Sequence, residues 1–551
     1  MKRLSIMTFA LTAMVATSAT LVRADSWYWT GATDNIWSTD ANWSKGGNSN
    51  VNRMFEEAYF SERFKTDYGY RVQFTGNESI SWKAHIRTGT EEQPVVFYAD
   101  DPSHGLKVNK SDGGWYVGYD GCASGEAWLR LESGTYDTTG YWQIGYTHTG
   151  HLIVCEGATV KGTDFYVRKG SVTVEGGTVT VPSGNWARFG SNGASTLNLN
   201  GGTFETRHIH KDANSPDINF NGGTLLANAG YANNGGLIQS GIAVNVGSGG
   251  GTIDNGGFDI QIGASIGDDG SGVLTFTGSG STTLETDTLN GLDVKLDDGY
   301  LYIAKDTEIS KSLTVNGGTF ESAVTTWTKM YSGCTLNLNG GCFKTRHIEG
   351  YGGTINFNGG TLQATASYVN GLIGGTSVAV TVNGGTLELS NTSSTAITTG
   401  LVTVGAKGTI TGTATVQNLT LTKGATILCQ LKAAGNTCLT VKGNLKHDGD
   451  TILVEIPASR QLQVGDEITV FKVSGTHTGT FFLKVDADGT GYEFDTSTLL
   501  SNGTLRVTAV VDAINSPIVD AHSGVTYDIS GRRISEPTKG IYIKGGKKYR
   551  K

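Results

Sequence analysis

Proline is scarce in this chain, with 7 residues among 551, while glycine reaches 80. Disordered low-complexity chains carry both residues in quantity, so glycine at about twice its usual ~7% share without proline excludes that class. It points to many turns between uninterrupted hydrogen-bonded strands. Charge is also sparse, with 17% charged residues and a net charge of −8, which argues against a nucleic-acid footprint and a nucleic-acid partner. Past the N-terminus no apolar run is long enough to span a bilayer, so no transmembrane segment is expected in the mature chain. The six cysteines form no CxxC pair, so no metal or other cofactor is expected. Cys334 with Cys342 and Cys429 with Cys438 are close enough for local disulfides, and free buried thiols are the alternative.

What the chain has is repetition. TLNLNGGTFETRHI (196–209) returns as TLNLNGGCFKTRHI (335–348), and each copy is followed by a shorter echo, INFNGGTLLA (218–227) and INFNGGTLQA (355–364). Leu197 and Leu199 alternate with Asn198 and Asn200, which is the period of a strand, and Gly201-Gly202 turns the chain. Such corners recur at roughly 20–25 residues, the period of a solenoid. The aliphatics should ladder inside and Asn200, Asn221, Asn339 and Asn358 should stack amide on amide at the corners. The expected fold is therefore all-β: a parallel β-helix followed by a small antiparallel β domain.

In order, residues 1–24 read as a secretory signal: Lys2-Arg3, an apolar run from Leu4 to Val15, then small residues ending at Ala24. This predicts export to the cell surface or the medium. Residues 25–105 read as a cap rich in tryptophan, with Trp27, Trp29, Trp37 and Trp43 in one short stretch. Exposed, Trp27 and Trp29 would stack on sugars; buried, they would cover the end of the core. Residues 106–428 form the repeats, 429–511 an antiparallel closing domain, and 512–551 a compact basic tail.

Candidate chemistry is thin. GASIG (263–267) matches G-x-S-x-G around Ser265, but a turn and a strand follow where a nucleophile elbow needs a helix. Arg207-His208 and Arg346-His347 occupy equivalent repeat positions and would bind an anionic glycan if exposed; a solvated edge is the plainer reading. The HxH formed with His210 lacks a third ligand for a metal. DADGTGYEFD (486–495) hints at a calcium loop but lacks the EF-hand ligand order. Asp268-Asp269 and Asp297-Asp298 are adjacent in sequence and would point to opposite faces of a strand, so neither is a catalytic dyad. No catalytic residue is assigned.

The coils, with GGTIDNGGFDIQI (250–262), VLTFTGSGSTTLE (273–285) and the NGGTL/F corners, resemble autotransporter-associated β-strand repeat proteins. That resemblance implies a right-handed parallel β-helix and specifies no activity. No segment reads as an outer-membrane barrel, so another protein is expected to be the exporter. YDISGRRI (527–534) followed by KGIYIKGGKK (539–548) is similar to type IX secretion C-terminal sorting domains of Bacteroidota, which implies the secretion machinery as a partner. The expectation is an adhesin-like or structural surface protein, with an extracellular glycan or a neighbouring cell surface as partner. The alternatives are a β-helix polysaccharide lyase or glycoside hydrolase, and a glycan binder without catalysis.

Overall fold

The computed structural model describes residues 26–45, 56–62, 70–231, 235–268, 270–285, 289–323, 325, 327–364, 373–375, 378–390, 401–487, 491–511, 526–535, 540–544 and 547–550. The signal-like residues 1–24 lie outside this set. The chain divides into two compact units, Met1–Leu197 with Lys211–Pro216, and Asn198–His210 with Asp217–Lys551. Both are built from parallel β coils.

In the first unit a parallel ladder runs through Ser26–Trp29, Glu57–Phe60, Lys83–Ile86, Gly114–Val117, Tyr141–Ile144, Asp164–Val167 and Ala187–Phe189. Its register aligns Trp27, Ala58, Ala84, Trp115, Trp142, Phe165 and Ala187 in one inward column. All seven are buried. A second side stacks Val72, Phe97, Leu131, Val154 and Val174, and a third stacks Leu106, Tyr136, Val160 and Val179. Large rings fill the interior and touch: Trp115 and Trp142 lie parallel at 4.6 Å, and Phe97 meets Tyr136 at 6.0 Å.

The ladder begins at Ser26, inside the segment expected to be a cap. The capping element is smaller: Trp43–Ser44 folds back antiparallel onto Ser26–Trp29 and seats Trp43 5.1 Å from Trp29 and 4.7 Å from Trp37. Buried Asn42 pins the loop by accepting the Thr33 and Asp34 amides and donating to Asp34 and the Ile36 carbonyl.

In the second unit one inward column passes through Ile253, Phe276, Leu296, Val315, Leu338, Phe357, Val382, Val404 and Leu421. The NGG corner follows the strand on this side. Asn383, Asn358, Asn339 and Asn316 each donate a side-chain amide to the residue one coil earlier, ending on Asp297, at 2.8–3.0 Å. The second glycine of each pair, as in Gly318, Gly341, Gly360 and Gly385, has φ between 62° and 76°. The first passes so close to the previous coil that a Cβ on Gly340 would sit 2.3 Å from the Asn316 carbonyl oxygen. Only glycine satisfies both demands. Asn221 departs from the expected stack and accepts the Gly249 amide in a wider corner. A second ladder, on the strand faces, links Asn245 to Asn219 and Asn219 to Asn198.

Parallel pairing continues past residue 428: Thr426–Gln430 pairs with Asp450–Glu455, which pairs with Phe481–Asp486. The expected antiparallel domain over 429–511 is therefore shorter than its boundaries suggested. It consists of Glu467–Thr469 and Gly491–Asp495 on either side of Thr504–Val511. The NGG corner disappears after Gly385 while the parallel register does not, so the corner signature underestimates the solenoid. The tail forms its own antiparallel sheet, Thr526–Asp528, Arg533–Ile534, Ile541–Lys544 and Lys547–Arg550. Among the described residues no helix is long and apolar enough to cross a membrane. All six cysteines are free thiols.

Candidate functional site

The residues singled out from sequence are mostly inside. Trp27 and Trp29 are buried, which favours the capping reading over sugar stacking. His208 and His347 are fully buried corner posts, so the Arg-His corners are not the solvated edge expected of them. The His208 imidazole hydrogen-bonds the Gly236 carbonyl and packs 4.5 Å from the Tyr231 ring, over which Arg207 also sits at 5.0 Å. Burial holds its pKa down at about 4, so the ring is neutral near pH 7. His347 meets Glu349 at 2.8 Å and the Trp327 ring at 5.7 Å, and Arg346 beside it is half-buried. The preceding threonines explain the inward turn: Thr206 and Thr345 donate to the carbonyls of His208 and His347, closing the corner over the histidine.

Ser265 is exposed on a strand paired in parallel with Ala243–Val246, not on a strand-to-helix elbow. Asp297 is the acceptor that ends the amide ladder and also pairs with Lys295 at 2.9 Å. Of the other acidic motifs, Asp269 and residues 488–490 of the calcium-like loop lie outside the described residues. Among the described residues no three His, Cys, Asp or Glu side chains converge as metal ligands.

The structure brings together a different set. On the first ladder of the first unit the outward register aligns Tyr28, Tyr59, His85, Tyr116, Gln143, Tyr166 and Arg188, one residue per coil. The strand period puts them on the face opposite the tryptophan column. His85 lies between Tyr59 (4.3 Å, 1° between planes) and Tyr116 (5.0 Å, 20°). Burial, then the charges of Arg87 and Lys83, keep it well below the usual histidine pKa. Cations roof the rings: Arg87 over Tyr59 at 4.5 Å, Lys83 over Tyr116 at 5.2 Å, Arg168 over Tyr166 at 4.8 Å. Glu57 accepts from Ser26 and from the Tyr59 hydroxyl, so the Tyr28 end of the column is acidic as well as aromatic.

Two residues beyond the strand ends a second row forms. Gly118, Gly145 and Gly190 adopt φ of 69°, 69° and 80°, and each swings the next residue, Tyr119, Tyr146 or Ser191, onto this face. Tyr119 and Tyr146 stack at 4.7 Å with 13° between planes. Tyr146 is 39% exposed and lies 5.8 Å from the Arg168 guanidinium. Beside them a pocket of about 330 Å³ is lined by Tyr166, Arg168, Arg188, Ser191, Asp212 and Ala213.

Tyr59, His85, Tyr116 and Gln143 of the column are themselves buried, so what the face offers a ligand is the exposed Tyr146 with half-buried Tyr166, Arg168 and Arg188: aromatic surface, phenolic hydroxyls and fixed guanidinium donors, a combination that packs on a sugar and hydrogen-bonds its substituents. Sequence reasoning passed over it because irregular coil lengths hide the register of these residues. The signal available was the aromatic or polar residue alternating with the core one in EAYF, KAHI, GWYV, YWQI, DFYV and ARF. Comparison with protein families, with curated proteins and with solved structures finds no match, so the functional reading rests on the fold and on this face.

Proposed function

We propose that this is an exported, surface-displayed parallel β-solenoid with an adhesin-like role, which holds extracellular glycans on the tyrosine- and arginine-lined face of its first unit and does not cleave them. The observation that carries the reading is the accessible end of the outward column, where Tyr166, Arg168 and Arg188 line a pocket beside the exposed Tyr146 of the Tyr119–Tyr146 pair. Export is supported by the signal-like start and by the sorting-like tail, which also name the secretion machinery as a partner. A glycan array probed with the mature protein tests binding. Retention that falls when Tyr146 and Tyr166 are replaced by alanine is the expected result; an array with no retained glycan would overturn the reading.

One observation favours the hydrolase alternative. Gln430, Glu455 and Asp486 align across three consecutive coils of the second unit and line a cavity of about 570 Å³. Carboxylates one coil apart are separated by roughly 4.8 Å of backbone, near the ~5 Å of retaining glycosidases. Gln430 donates to Glu455 at 2.9 Å, which occupies one carboxylate oxygen. New reducing ends released from a polysaccharide panel, and lost in Glu455→Gln, would establish cleavage.

A further inference from the structure

We propose that the pocket at Arg168 selects acidic saccharides, seating a sugar carboxylate or sulfate on the Arg168 guanidinium with the sugar ring against Tyr146. This rests on the reading that the face binds glycan, and names the class of glycan.

Charge bookkeeping around the two pocket arginines is asymmetric. Arg188 pairs with Asp212, and the Asp164 carboxylate acts on it from the neighbouring strand. Arg168 has only neutral partners: its Nε donates to the Gln143 side-chain oxygen and its Nη1 to Ser191 Oγ at 3.2 Å. Among the described residues no carboxylate lies within ion-pair range of it. A guanidinium carries five N–H donors in a fixed plane, so roughly three remain for a ligand after these two bonds. The pocket thus presents one uncompensated cation whose orientation is already set.

The aromatic surroundings fix that orientation. Arg168 is held over Tyr166 at 4.8 Å and beside Tyr146 at 5.8 Å, and it is half-buried. A planar donor fork of this kind matches the two oxygens of a carboxylate or two of a sulfate ester. The stacked Tyr119–Tyr146 pair lies beside the charge, and its exposed Tyr146 gives the rest of the sugar an aromatic edge and a hydroxyl to pack against. Lysine in place of Arg168 would keep the charge but lose the fork.

The test is calorimetric titration of the full mature protein with three defined probes: an oligogalacturonate, a chondroitin sulfate oligosaccharide and a neutral cello-oligosaccharide of similar length. Acidic probes should bind at least tenfold more tightly than the neutral one, with affinity falling steeply as salt rises. Arg168→Gln should cost the acidic probes about tenfold, which is ~1.4 kcal/mol, and so bring their affinity down toward that of the neutral probe. Arg168→Lys should recover part of that loss, which separates lost charge from a folding defect. Both acidic probes carry carboxylates, so tighter binding of chondroitin sulfate assigns the sulfate, and equal or tighter binding of oligogalacturonate assigns the carboxylate. Neutral binding equal to acidic binding, or Arg168→Gln without effect, would overturn the acidic specificity while leaving glycan binding intact. Absence of binding by all three probes would overturn both.

Discussion

Asn358 donates its side-chain amide to Asn339 Oδ1 at 2.8 Å, and Asn339 donates in turn to Asn316 at the same distance. The ladder has a direction, since every amide gives to the coil before it. Its first member needs only to accept, and Asp297 occupies that place. Asn339→Asp should therefore be worse than Asn339→Ala, since it removes a donor and leaves two acceptors facing each other. Each exposed bond contributes about 0.5–1 kcal/mol. Urea unfolding should show a cost near 1 kcal/mol for Asn339→Ala, and Asp297→Asn should change little.

The acid response follows from two buried histidines. The pKa values of His85 and His208 are both depressed by burial, so the unfolded chain takes up protons that the folded one refuses. Their contribution is complete above the ordinary histidine pKa of ~6.5. It is lost as pH falls through that value toward about 4 for His208. Thermal melts between pH 7.5 and 4 should show a declining midpoint, and His208→Gln should flatten the slope over pH 6.5 to 4.

The Trp115–Trp142 stack sits in a fully buried column, and Trp142 Nε1 donates to the Lys161 carbonyl at 2.9 Å. Trp142→Ala opens a cavity that its rigid neighbours cannot close and should cost about 3–5 kcal/mol. Because coils contact mainly their neighbours, the loss should appear as local exchange of amides near Tyr141–Ile144 before global unfolding.

Gly145 should control binding without touching ligand. Its φ of 69° costs an L-residue about 1–2 kcal/mol. An added Cβ would also lie 1.9 Å from the Lys169 carbonyl oxygen. Gly145→Ala should displace Tyr146 and weaken saccharide binding about as much as Tyr146→Ala, read by the same titration. Unchanged affinity would show that the platform does not depend on this turn.

In the tail, Asp528 accepts from the amides of Ser530 and Arg532 and from both their side chains, which draws its pKa down to about 2. The turn is thus pinned by one carboxylate. Deleting residues 523–551 should trap the protein in the periplasm, and Asp528→Ala should reduce surface display in a protease-shaving assay. Undiminished display of the deletion would remove the sorting role.

Local sequence carried much of the fold. Leu336 and Leu338 alternating with Asn337 and Asn339 before Gly340-Gly341 specify a strand, its buried face and its corner, because side-chain period and φ are properties of adjacent residues. The same logic misplaced the ends. Parallel coils already start at Ser26 in the first unit and still pair at Asp486 in the second, where corners lack the NGG signature, since parallel pairing needs register between coils and no particular turn. It also misread the Arg-His corners: nothing local distinguishes a histidine turned inward under a threonine from one turned out to water.

An all-β solenoid with polar ladders is legible in the chain alone, since repetition and alternation are written along one dimension. The place of the proposed binding face, by contrast, follows only from how the coils stack. Tyr28, Tyr59, His85, Tyr116, Gln143, Tyr166 and Arg188 are far apart along the chain and become one column because each coil brings its residue into register with the last. Arg168 is left as the uncompensated cation for the same reason: its neighbours on adjacent coils, Gln143 and Ser191, are neutral, and that neighbourhood exists only when the coils stack.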